Sequence, residues 1–131
     1  MTSAATFTAG EATSLWSTEG ALTMYTQSVL STQYVPIPVT MTTFSGATGN
    51  PTGDPVAFSF TPVTYPVTSP TVWVAGTWAT FPGPAYRAAC LVGPGTAAAT
   101  ALTIGTWQTW VKITDNPEVP VLQPSLLQIT P

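Results

Sequence analysis

The chain predicts an all-β fold: an antiparallel sandwich of roughly seven short strands behind an extended N-terminal arm. Three observations predict it. Short runs alternate apolar and polar residues and are rich in β-branched and aromatic side chains, the period of a strand with one buried face. Turn formers punctuate those runs, with 14 Pro and 10 Gly in 131 residues. No segment carries helical periodicity over an ordinary helix length.

Residues 1–33 are Ala, Thr, Ser and Gly with isolated aromatics. Small residues bury too little area to fold alone. This segment reads as an arm with one edge strand near Ala21–Tyr25, and the sandwich as residues 34–131. Tyr34–Thr43 (YVPIPVTMTT) puts Val35, Ile37, Val39 and Met41 on one face and Pro36 and Pro38 on the other. Proline gives no ladder donor, so the first half of this strand belongs at a sheet edge. Ser45–Pro55 is a turn-rich loop. Val56–Thr61 alternates strictly, with Val56, Phe58 and Phe60 on one side. Pro62–Pro70 connects to a short strand, Thr71–Ala75, and Gly76–Thr80 adds Trp78. Phe81–Pro84 is a tight loop.

Tyr86–Val92 is the next strand, ended by Gly93–Gly95. Ala97–Ile104 reads as a short strand or a turn. Gly105–Thr114 is the strongest strand, with Trp107, Thr109, Val111 and Ile113 inward and Gln108, Trp110, Lys112 and Thr114 outward. After the loop Asp115–Pro120, Ser125–Thr130 closes the sheet.

Composition excludes more than it assigns. Charged residues are 5% of the chain, against about a quarter in an average domain. Arg87 and Lys112 are the two basic residues, far too few to neutralise a run of phosphates, so no nucleic-acid partner is expected. There is no His and one Cys, which removes the usual ligands of zinc, haem and iron–sulfur sites. No cofactor or metal is expected. Triad chemistry lacks its base, and Cys90 lacks a His partner. Cys90 reads as a small buried hydrophobe. No run reaches membrane-span length, and no secretory signal is recognisable. Asp115, Asn116 and Glu118 carry oxygens for calcium but match no calcium-loop pattern. They read instead as an Asx turn before Pro117 with a solvated Glu118. Gly93–Thr100 lacks the Lys of a phosphate loop. The chain therefore reads as a binding or structural module, not an enzyme.

The aromatic side chains are the candidate interface residues. Phe7, Trp16 and Tyr25 are the anchors available to the arm. Trp107 belongs to the core face, whereas Trp110 points outward. Trp73 and Trp78 lie in a short, Pro-bounded segment. An outward Trp rewards a protein interface, a sugar-stacking platform or a covering arm, and all three readings stay open. Arg87 is a candidate to stack on such a ring.

Ala88–Gly95 (AACLVGPG) and Leu102–Pro120 (LTIGTWQTWVKITDNPEVP) resemble a small immunoglobulin-like virion protein of tailed phages of actinobacteria. Tyr34–Val39 and Asn50–Phe60 resemble the same family. Gly105–Lys112, which opens with Gly-Thr-aromatic, is also similar to the Ig-like N-terminal domain of phage baseplate proteins. The resemblance covers roughly residues 34–130. It implies an Ig-like sandwich on a phage particle, made in the host cytoplasm, with no catalytic residue. The implied partners are the major capsid protein or other virion proteins and further copies of the chain. The leading expectation is a capsid decoration (cement) protein whose arm binds neighbouring subunits. A tail, head–tail connector or baseplate protein is the second expectation. A carbohydrate-binding adhesion module, with a glycan partner, is the third.

Overall fold

The computed structural model describes residues 4–9, 12–18, 24–43, 49–64, 66–79, 86–115 and 119–131. Ten strands run through it: β1 (Ala4–Ala9), β2 (Ala12–Thr18), β3 (Met24–Ser28), β4 (Gln33–Thr43), β5 (Val56–Pro62), β6 (Val74–Ala75), β7 (Thr77–Ala79), β8 (Tyr86–Val92), β9 (Gly105–Ile113) and β10 (Val121–Thr130). They form two five-stranded sheets, ordered β1-β2-β4-β8-β7 and β3-β10-β9-β5-β6. Every pairing is antiparallel except β3 with β10. From β4 onward the chain supplies seven strands. Their order, β4-β8-β7 against β10-β9-β5-β6, is that of an immunoglobulin-like sandwich.

Alternation decides which side chains meet between the sheets. Val35, Ile37 and Val39 of β4 and Ala88, Cys90 and Val92 of β8 come from the first sheet. Val56, Phe58 and Phe60 of β5, Val111 and Ile113 of β9, and Leu122, Leu127 and Ile129 of β10 come from the second. Among the described residues Phe58 is the largest fully buried side chain, and its ring stacks on Phe60 at 6.3 Å between centroids. At about 25 cal/mol per Å², this apolar burial is the main force holding the layers together. The disulfide of antibody domains has no counterpart, since Cys90 is free and buried.

Pro36 and Pro38 sit where their chemistry requires. β8 pairs with β4 from Gln33 to Val39, but β2 reaches β4 only from Val39 to Thr43. Among the described residues, the proline half of β4 therefore has a strand partner on one side only.

The described parts of residues 1–33 are extended, but as strands of the same two sheets. β1 and β2 form a hairpin, with Ala9 opposite Ala12, that adds to the second half of β4. Of the edge strand expected near Ala21–Tyr25, residues 21–23 fall outside the described residues, while Met24 and Tyr25 lie in β3, which runs on to Ser28. β3 runs alongside β10 from Met24–Leu126 to Ser28–Thr130. Gln27 then locks the register, because its buried side-chain amide donates to the Val92 carbonyl of the opposite sheet at 3.1 Å.

Smaller differences have local causes. Ala97–Ile104 holds a 3-10 turn at Ala98–Thr100, in which Thr100 Oγ1 donates to the Ala97 carbonyl at 3.1 Å. The last strand starts at Val121 rather than Ser125, because a register shift between Leu122 and Ser125 lets it continue past an irregularity. The strand expected at 71–75 is paired only at Val74–Ala75. Gly76 then carries the chain across to the first sheet, where it resumes as β7. Phe81–Pro84 and the proposed turn at Asn116–Glu118 fall outside the described residues.

Candidate interaction face

β9 generates the outer face of the second sheet. Val111 and Ile113 are sealed in the core, so Gln108, Trp110 and Lys112 must project the other way. Cross-strand pairing extends that face. Lys112 lies opposite Ala57 and Val121, Trp110 opposite Ser59, and Gln108 opposite Thr61 and Leu126, with Met24 next to Leu126. Met24 and Val121 are 45% and 44% exposed, high values for large apolar residues. Two tryptophans complete the surface. Trp110 is half-buried, and its indole N–H donates to Thr61 Oγ1 at 2.8 Å. Trp73, just ahead of β6, lies under the Lys112 ammonium, 4.5 Å from its ring centroid. That contact holds the cation by its attraction to the ring face.

The face thus sets Trp73, Trp110, Ala57, Val121, Leu126 and Met24 among neutral polar residues, with Lys112 as the one charge among the residues named. Large exposed apolar patches mark interaction sites more often than they occur on free monomers. The first sheet adds a smaller patch, where Tyr34 (61% exposed) pairs with Leu91 (39% exposed) beside Pro36 and Ala89.

The six aromatic candidates separate into three groups. Trp73 and Trp110 share the face just described. Tyr25 and Trp78 instead pack against the chain's own core. Trp78 donates its indole N–H to the Asp54 carbonyl at 2.7 Å, tying β7 to the loop before β5. Burial pushes the Tyr25 hydroxyl above its ordinary pKa, and the charge of Arg87 pulls partly the other way. Phe7 and Trp16 lie in the hairpin, at register positions opposite Ser14 and Met41 respectively.

Sequence reasoning identified Trp110 as outward but missed Lys112 as the cation over a tryptophan. Trp73 is outside any paired strand, so no periodicity reports its direction. Among the described residues no cluster of His, Cys, Asp or Glu is placed to hold a metal. Asp54 has its carboxyl pKa raised, first by burial and then by the nearby charge of Asp115. No helix among the described residues is long and apolar enough to cross a membrane. Compared with known protein families, characterised proteins and solved structures, the chain finds no match.

Proposed function

We propose that the chain is a structural protein of a tailed-phage particle, an Ig-like capsid decoration protein that lies against the capsid surface and against neighbouring copies. The observation that carries this reading is the outer face of the second sheet, which gathers Trp73, Trp110, Met24, Leu126 and Val121 with a single cation, Lys112. A surface of that kind favours permanent burial against a partner, and an assembled particle supplies one at high local concentration. The scarcity of charge and the resemblance of residues 34–130 to phage Ig-like proteins point the same way. The N-terminal strands contribute a second attachment element: β1 is the outermost strand of its sheet, and an open edge can pair with a neighbouring chain.

Co-sedimentation of the full chain with capsids lacking it tests the proposal. Wild type should pellet with capsids. Met24→Glu and Val121→Glu, which alter exposed positions, should weaken binding about tenfold or more, equal to ~1.4 kcal/mol, without lowering the melting temperature. Undiminished binding by both variants would refute the role of this face. Immunogold label on the tail or baseplate would move the protein elsewhere on the particle. Tryptophan fluorescence that responds to neutral sugars, with no capsid binding, would favour the adhesion module.

A further inference from the structure

A groove of about 400 Å³ lies along the edge of β5, and among the described residues none that lines it is charged. Its walls include Phe60 and Val74 on one side and Val72, Leu102 and Trp107 around them. Trp107 is held in place there by its indole N–H, which donates to the Thr103 carbonyl at 3.0 Å.

Backbone bonds fix which way each residue of β5 points. On the β9 side, Thr114 donates to the Pro55 carbonyl at 2.9 Å and Val63 donates to the Thr106 carbonyl at 3.3 Å. On the other side, Gly76 donates to the Val56 carbonyl at 2.8 Å. Residues 56, 58 and 60 therefore aim their backbone groups away from β9. Phe58 meets Val74 of β6 in that direction. The next rung would join Phe60 to Val72, and it is not made: among the described residues the outward N–H and C=O of Phe60 have no backbone or side-chain partner. Phe60 is nonetheless only 9% exposed. Backbone polar groups at such a site ordinarily find a partner.

We propose that this groove is a strand-addition site, which accepts an extended, uncharged segment of a partner protein as a continuation of the missing β6 ladder. The segment would pair with the N–H and C=O of Phe60 and lay apolar side chains against Leu102, Val72 and Trp107. The uncharged lining selects against a charged peptide, because a buried unpaired charge is costly. The unpaired rung selects for a backbone rather than for a compact ligand. The groove adjoins the tryptophan face, sharing Ser59 and Thr61 with it, but the proposal does not depend on where the protein resides.

The test uses the full chain and a capped, uncharged peptide alternating Val and Thr, about five residues long, the length of a short strand. Amide hydrogen exchange followed by NMR should show the Phe60 N–H exchanging quickly in the free chain. With the peptide in excess it should slow by about tenfold or more, and the Trp107 indole resonance should shift. The same peptide N-methylated at alternate residues should have no effect. Val72→Lys changes an exposed residue of the groove and should weaken peptide binding at least about tenfold while leaving the fold intact. An unprotected Phe60 amide in the presence of excess peptide would overturn the proposal. So would binding undiminished by Val72→Lys. Shifts at Trp107 produced by glucose but not by the peptide would assign the groove to a neutral sugar and would equally overturn it.

Discussion

Thr109 and Ser125 face each other across β9 and β10, and both hydroxyls are buried without a hydrogen-bond partner among the described residues. Thr109 is wholly inaccessible. An unpartnered buried hydroxyl costs roughly 1–3 kcal/mol. Thr109→Val keeps the β-branched shape and deletes the oxygen, so it should stabilise the fold by about 1 kcal/mol in urea unfolding. Cys90 illustrates the same low-dielectric interior. Burial raises its thiol pKa to about 11. At pH 8 roughly one native molecule in a thousand carries the thiolate, so iodoacetamide should modify Cys90 only as fast as the protein unfolds. The sign of the pH effect follows. The folded chain holds this proton more tightly than the unfolded chain, so stability is lost as pH rises above the unfolded thiol value near 8.5. Melting temperatures measured between pH 8 and 10.5 should fall less steeply for Cys90→Ala than for wild type.

At the scale of elements, Gly76 sets the tightest constraint. A Cβ there would stand 2.7 Å from the Phe58 ring and 3.0 Å from the Ala89 carbonyl. The ring is sealed in the core and cannot yield cheaply, so Gly76→Ala should cost about 1–3 kcal/mol by denaturant melt. Gly93 carries a comparable restriction at φ +133°, with the Ser31 carbonyl in the path of any side chain. Such crossings were not legible in the sequence, because the approach of Phe58 to Gly76 is a tertiary event. The strands that bury one face were legible. The alternation of Val56, Phe58 and Phe60, and of Thr109, Val111 and Ile113, reappears residue for residue in the core. The one-sided pairing of the first half of β4 among the described residues agrees with the two prolines there. The hairpin β1–β2 escaped because Ala, Thr and Ser write no apolar alternation. The face around Trp110 could be read from parity, whereas the Lys112–Trp73 contact depends on a connection without a period. Tyr25 looked like an arm anchor because its strand appeared detached, and pairing with β10 turns it onto the chain's own core.

For the whole molecule, among the residues whose side chains are described the core cluster begins at Val35, with Tyr25 and Val29 as its earliest flanking members. Removal of residues 1–22 takes away β1 and β2 and leaves all five strands of the second sheet, β3-β10-β9-β5-β6, in place. The truncated chain should therefore keep a single cooperative melting transition by circular dichroism. If the hairpin is an attachment element, the same truncation should weaken capsid co-sedimentation. Loss of the transition would instead show that the hairpin completes the fold.

One pairing has a further consequence. β3 and β10 run in the same direction, side by side over five register pairs from Met24–Leu126 to Ser28–Thr130. If tension enters ahead of Met24 and leaves past Pro131, the two strands are drawn in opposite senses along their length. The load then falls on the rungs together, in shear, rather than opening them one after another like a zip.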